Sequence, residues 1–156
     1  MKRKSFILIT GVAGFIGFNL SMSLLRDNKR LIGIDNINDY YSIQLKKDRV
    51  NQLKKFKNFK FHKIDLESYN ALNKIFNKYK IEKIIHLAAQ AGVRYSIVNP
   101  KNYLNSNYNG FFNIIELSRL KKIKKIIYAS SSSVYGNSKK FPLKENHQIN
   151  PNNFYG

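Results

Sequence analysis

The sequence predicts a doubly wound α/β fold: a parallel sheet of about five strands in the order 3-2-1-4-5, with helices on both faces. Three observations predict it. Short β-rich apolar runs alternate with longer amphipathic stretches along most of the chain. A glycine-rich turn, Gly11-Val12-Ala13-Gly14-Phe15-Ile16-Gly17, follows the first apolar run, and an acid, Asp35, closes the second. Parallel strands need crossover connections, and the amphipathic stretches supply them as helices of right-handed crossover.

Phe6–Thr10 is β-rich and stops at Gly11, as a buried strand does. Over 14–26, Phe15, Ile16, Leu20, Leu24 and Leu25 recur near helical spacing. A second strand is expected over 30–35, a charged surface helix over 42–56 and a third strand over 58–64. Over 68–79, Leu72, Ile75, Phe76 and Tyr79 share one helical face. A fourth strand is expected over 83–87. Asn99-Pro100 turns into a long helix over about 101–120, and 125–129 reads as a fifth strand. The stretch 130–151 reads mostly as loop, with a helix able to start near Pro151. In a compact domain, an irregular segment as long as 136–156 is usually functional or unfinished.

A chain of 156 residues, 43% hydrophobic, forms one domain with a sizeable core. No apolar run is long enough to span a bilayer. Met1-Lys2-Arg3-Lys4 precedes an apolar stretch, but the small-residue cleavage site of a signal peptide is missing. With no cysteine there is no disulfide framework and no thiolate metal site, and the cytoplasm is the default location. His62 and His147 show no metal-like spacing, and no metal is expected. The net charge of +19 would suit a nucleic-acid binder. The lysines, however, are scattered over nearly every segment, with short pairs at Lys54-Lys55, Lys121-Lys122 and Lys124-Lys125. No RNP-like motif accompanies them, so the charge is read as composition, with no specific nucleic acid and no membrane as partner.

A lone glycine motif is weak evidence, but this one has its required context: a strand before it, a helix opening at Gly14, and an acid ending the next strand. The glycines let the backbone approach a pyrophosphate, and the helix N-terminus offers free N–H donors. Asp35 can accept bonds from both adenosine ribose hydroxyls and would repel a 2′-phosphate, which favours NAD over NADP. Asp35 before Asn36 also suits a plain turn. Asp65-Leu66, after the third strand, is placed to lie beside the adenine; taken alone the pair reads as a helix cap. His86 reads as a core residue at a strand end.

The spacing Gly-x-x-Gly-x-x-Gly, with Phe-Ile before the third glycine, resembles the extended short-chain dehydrogenase/reductase family, the NAD-dependent epimerases and dehydratases with a Rossmann-type NAD-binding fold. More of the chain resembles it in order. His86-Leu87-Ala88-Ala89-Gln90 looks like the strand end beside the nicotinamide ribose, and Asn107 with Gly110 looks like the helix motif Asn-x-x-Gly. Ala129-Ser130-Ser131-Ser132-Ser133-Val134-Tyr135-Gly136 resembles the active-site serine loop, and Asn150-Pro151-Asn152-Asn153-Phe154-Tyr155-Gly156 the run into the catalytic tyrosine. Two further stretches are similar to 4-epimerases acting on UDP-glucuronate. One is Asp35-Asn36-Ile37-Asn38-Asp39-Tyr40-Tyr41 with Leu45-Lys46 and Arg49; the other runs from Ala88 to Ser96.

The resemblance implies NAD as cofactor, held by Gly11, Gly14, Phe15, Ile16, Gly17, Asp35, Asn36, Asp65, Leu66, Leu87, Ala88, Ala89, Gln90, Asn107, Ala129 and Tyr155. It implies two catalytic residues, Tyr155 as general base and Ser131 as hydrogen-bond partner of the sugar C4 oxygen. It places a UDP-sugar substrate against Ser131, Ser132 and Ser133, with Arg94 near the sugar or the phosphates and its contact not fixed by the resemblance. The implied reaction is transient oxidation at C4 with hydride return to the other face. Related readings are a nucleotide-sugar dehydratase, a UDP-glucose 4-epimerase, or a standalone NAD-binding pseudoenzyme module.

The family motif is Tyr-x-x-x-Lys, on a helix followed by further strands and a substrate domain. Residues 1–156 contain neither that lysine nor that domain, so the expectation is an incomplete fold: an N-terminal NAD-binding domain, with the C-terminal substrate domain absent, inactive as it stands. A phenol with no cation beside it is a poor base at neutral pH. Full-length members of the family pair as homodimers through two helices, so Phe111, Phe112, Ile115 and Leu120 are expected to form an exposed apolar patch.

Overall fold

A computed structural model describes residues 4–156; Met1-Lys2-Arg3, the start of the basic leader-like segment, lie outside the described residues. The elements run β1 (Phe6–Thr10), α1 (Phe15–Arg26), β2 (Leu31–Asp35), α2 (Ile43–Lys54), β3 (Phe59–Lys63), α3 (Tyr69–Lys78) and β4 (Ile81–His86). Then follow α4 (Val93–Val98), α5 (Pro100–Tyr103), a π-helical turn (Leu104–Asn109), α6 (Gly110–Leu120), β5 (Ile126–Tyr128) and a 3₁₀ turn (Ser132–Tyr135).

The sheet is five-stranded, ordered β3-β2-β1-β4-β5, and every neighbouring pair is parallel. This is the order expected from the sequence. β1 is central and buried along its whole length, because parallel sheets are covered on both faces. Its side chains alternate with period two. Leu8 joins Ile32, Ile34, Leu72, Phe76, Ile84, Ile114 and Leu117 on the α3/α6 face. Ile7 and Ile9 join Val12, Leu25, Leu31, Leu53, Phe59 and Ile85 on the α1/α2 face. Thr10 pairs with Ile34 on one side and His86 on the other, so β1, β2 and β4 end level with one another. That shared edge of strand ends carries the site.

Four local expectations need correction. The single helix over 101–120 is instead α5, a π turn and α6. Asn99 caps α5, accepting from Asn102 N at 3.3 Å, and Pro100 supplies the first helical position. The turn widens to place Asn107, whose contacts are described below. A short helix over Val93–Val98 was not anticipated. No helix forms from Pro151; the segment is held by Asn150 N donating to Val134 O at 2.9 Å and Gly156 N donating to Asn153 Oδ1 at 2.9 Å. Phe112, Ile115 and Leu120 are exposed as expected, but Phe111 turns inward, its ring centroid 5.2 Å from both His86 and Tyr128.

Candidate functional site

Gly11 follows β1 with φ +74°, and a Cβ there would stand 2.8 Å from Ala88 N. The first turn therefore lies directly on the end of β4. Gly17 brings α1 under the same turn: a Cβ would meet Gly11 O at 2.1 Å. Gly14 is the N-cap of α1, extended at φ −70° and ψ 167°, with no side chain capping the helix. The N–H groups of the first turn are thus left for a ligand. Phe15 and Ile16 form that turn and are exposed.

Asp35 ties the glycine turn to the next loop. Its Oδ2 accepts from Ala13 N at 3.0 Å and its Oδ1 from Ile37 N at 2.9 Å. The second bond holds Ile37 at φ +53°, a strained conformation for a β-branched residue. Asn36 Nδ2 donates to Asp65 Oδ2 at 2.9 Å, linking the ends of β2 and β3. From α2, Arg49 Nη1 donates to Ala13 O at 3.0 Å and to Tyr41 Oη at 3.1 Å, and Tyr41 Oη donates to Ala13 O at 3.3 Å. Burial pushes the Tyr41 phenol up against the opposing pull of Arg49. Lys46 reaches Asn38 through both O, at 2.8 Å, and Oδ1, and lies 4.2 Å from the Tyr41 ring centroid. Burial lowers its ammonium against the attraction of Asp35 and Asp39. Tyr41, Lys46 and Arg49 carry no assigned role in the sequence, and their spacing after Asp35 is the signal that marks them.

Two pockets flank Leu87, Ala88 and Ala89, which line both. The first is lined by Gly11, Gly14, Asp35, Asn36, Asp65, Leu66 and Gln90, together with Asn38, Tyr40, Tyr41, Lys46 and Ser106. The second is lined by Asn107, Ala129, Ser130, Ser131, Val134 and Tyr155, together with His86, Phe111 and Tyr128. Phe15, Ile16, Gly17, Arg94, Ser132 and Ser133 stand outside both linings. Asn107 donates from Nδ2 to Gln90 O at 2.9 Å and accepts at Oδ1 from Gln90 N at 2.7 Å, pinning the loop after β4 as a ladder pair would. A uniform α-helix would not widen at this point, and π turns recur at such sites. Tyr103 Oη lies 2.8 Å from Ala91 O, and its ring meets the Tyr155 ring edge-on with centroids 5.8 Å apart. Ser131 Oγ accepts from Ser133 N at 3.2 Å, which opens the 3₁₀ turn. Among the described residues no His, Cys, Asp or Glu cluster could hold a metal ion, and no helix is long and apolar enough to cross a membrane.

His86 was read from sequence as core, yet it is also a wall of the second pocket. Burial lowers its imidazole from 6.5 to about 4. Its neutral form is favoured in the fold, so protonation favours the unfolded chain. The stability it contributes is complete above about pH 6.5 and is lost as pH falls toward 4, a difference of about 3 kcal/mol. No charged side chain lines the pocket; Tyr128 and Tyr155 are its other titratable groups. His62 is also lowered, by burial and then Lys78, and acts in the same direction. Urea denaturation at pH 7 and pH 4.5 should therefore show a steeper loss for the wild-type chain than for a His86→Gln variant. Equal losses would reject the His86 contribution.

A parallel sheet with a glycine turn, an uncapped helix N-terminus and an acid at the end of β2 defines a Rossmann-type nucleotide-binding protein. The family described as GDP-mannose 4,6 dehydratase matches residues 8–156, and the chain belongs to it, within the NAD-dependent epimerases and dehydratases. The protein named CapI of Staphylococcus aureus is 53% identical over 142 residues, covering 90% of this chain and 42% of its own. A UDP-glucuronate 4-epimerase of Thermodesulfobacterium geofontis is 48% identical over 130 residues, covering 83% of this chain and 40% of its own. Among solved structures, a mutant UDP-glucuronic acid 4-epimerase of Bacillus cereus, in complex with UDP-4-deoxy-4-fluoro-glucuronic acid and NAD, superposes with a TM-score of 0.86 at 31% identity. That match covers 96% of this chain and 47% of the other. The chain therefore spans less than half the length of the relatives it matches.

Proposed function

We propose that this chain is the NAD-binding part of a nucleotide-sugar 4-epimerase acting on UDP-glucuronate. The supporting observation is the pair of pockets meeting at Leu87-Ala88-Ala89, one beside the glycine turn and the other beside Ser131 and Tyr155. Their residues fit a dinucleotide. Gly11 and Gly17 leave no room for a Cβ, so the turn presents bare backbone, and α1 begins without a side-chain cap. Each Asp35 oxygen already accepts one backbone N–H, and its remaining lone pair would serve a ribose hydroxyl. Asp65 and Leu66 would border the adenine; Asn107, Ala129 and Tyr155 would border the nicotinamide half. Bound NAD would supply the hydride acceptor for the sugar C4.

The chain's own share is binding, orientation and proton handling. Tyr155 would take the C4 hydroxyl proton, and Ser131 would orient that oxygen. Arg94, Ser132 and Ser133 are the proposed substrate contacts, with the rest of the sugar site lying in the part of the relatives beyond the match. No charged side chain lines the second pocket, which suits an uncharged hexose as well, so UDP-glucose remains the second substrate reading. The exposed Phe112, Ile115 and Leu120 support pairing of full-length members through α6.

Titration calorimetry tests the cofactor. NAD should bind at least tenfold more tightly than NADP, a difference of about 1.4 kcal/mol, because a 2′-phosphate would meet the Asp35 carboxylate. Lys46 is the cation in the same lining, and its ammonium is engaged by Asn38. The net charge of +19 attracts the more anionic ligand at low salt, so the preference should widen as salt is raised. Equal binding of the two at high salt would overturn the Asp35 assignment.

A further inference from the structure

We propose that Thr10 locks His86 as its neutral Nε2–H tautomer, and that this N–H is a hydrogen-bond donor to the nicotinamide half of the ligand. The second part rests on the NAD reading above.

The first part follows from counting protons around one hydroxyl. Thr10 Oγ1 accepts from Ala88 N at 3.1 Å and from Leu87 N at 3.1 Å, the latter N–H being shared with Thr10 O at 3.3 Å. A hydroxyl has two acceptor lone pairs and one proton. Both lone pairs are engaged, so the proton has to be donated, and His86 Nδ1 stands 2.9 Å away to receive it. Nδ1 is therefore an acceptor, and the ring proton sits on Nε2. Thr10 is 0% exposed and His86 7%, so solvent does not compete for these bonds. An imidazolium would have to donate from Nδ1 into an oxygen with no lone pair left.

The same hydroxyl does a second thing. By holding the N–H groups of Leu87 and Ala88, Thr10 fixes the wall that both pockets share. The ring orientation and that wall are thus set by one atom.

Nε2 has no protein partner among the described residues, while the ring packs on Phe111 at 5.2 Å and lines the second pocket. No Asp or Glu side chain lines that pocket, and Nε2 is left able to donate to a ligand oxygen that enters it. A nicotinamide nucleotide brings such oxygens, in its carboxamide and its ribose hydroxyls. Burial keeps the imidazole uncharged through the neutral range, so the donor is constant there.

The test uses long-range proton–nitrogen spectra of the histidine-labelled chain, with His86 assigned by a His86→Gln variant. At pH 7 the expected pattern is an unprotonated Nδ1 and a protonated Nε2. Saturating NAD or nicotinamide mononucleotide should shift the Nε2–H signal, and AMP should leave it in place. In calorimetry, Thr10→Val should weaken NAD binding roughly three- to tenfold, the worth of one neutral hydrogen bond, and Thr10→Ser should restore it. A protonated Nδ1 at pH 7 overturns the tautomer in the wild-type chain, whether or not the variants fold. NAD binding that leaves Nε2–H unshifted overturns the contact alone. Absence of NAD binding in calorimetry overturns the contact together with the dinucleotide reading.

Discussion

A Gly17→Ala variant is expected to lose at least a hundredfold in NAD affinity, about 2.7 kcal/mol, together with a measurable part of its stability. The added Cβ would stand 2.1 Å from Gly11 O, 2.8 Å from Gly11 C and 3.0 Å from Val12 Cα. Backbone cannot rotate away as a flexible side chain can, so the turn must lift by about 1.4 Å to reach ordinary contact near 3.5 Å. Lifting strains Gly11 N to Ile34 O at 2.8 Å and Gly14 N to Gly11 O at 3.1 Å. It also moves Ala13, which Asp35, Tyr41 and Arg49 all hold. Overpacking of this kind costs about 1–3 kcal/mol, and occasionally more. Alanine gains about 1 kcal/mol of helix propensity over glycine, which does not offset it. Gly14→Ala is the comparison: its Cβ would meet Gly11 O at 3.1 Å, a shift of a few tenths of an ångström. Denaturant unfolding and calorimetry on both variants give the ranking. Wild-type affinity in Gly17→Ala would refute the seating of the turn on α1.

The polypeptide of these 156 residues, supplied with NAD, is expected to convert UDP-glucuronate to UDP-galacturonate at least a hundredfold below the usual enzyme median of about 10 s⁻¹. Phenols ionise near pH 10 in water and act as bases near neutrality when a cation stands beside them. No lysine or arginine lines the pocket that holds Tyr155. General-base catalysis contributes roughly 10²–10⁴-fold, and sugar positioning contributes more. Tyr155→Phe should accordingly change the residual rate little. Adding the C-terminal portion of a full-length relative as a second chain should raise turnover if it brings a cation to Tyr155 and closes over the sugar. Chromatographic assay of the two sugar nucleotides decides it. Turnover near the median from the 156 residues alone would require a different base.

The order of strands and helices was legible because each element carries its own local signal. Apolar runs mark β1 and β2, the four-residue rhythm of Leu72, Ile75, Phe76 and Tyr79 marks α3, and Gly11 with Gly14 marks the turn that a pyrophosphate needs. Parallel order then follows, since strands separated by helices cannot pair as hairpins. Asp35 was legible as well, because its place at the end of β2 is a matter of chain position.

The fold, the glycine turn and the strand ends beside it are therefore written in local sequence signals. Which side chains meet at those ends is set by long-range packing. Asn107 pairs with Gln90, Thr10 with His86, Arg49 with Ala13 and Tyr103 with Tyr155. None of these pairs is adjacent in a helix or along one strand, so no local period announces them. The segment 101–120 is not a uniform helix for the same reason: it widens where Asn107 reaches Gln90 in the loop after β4, a residue 17 positions away in the chain. Local patterns encode elements, whereas a site is made of long-range contacts, which exist once the sheet has brought its strand ends level.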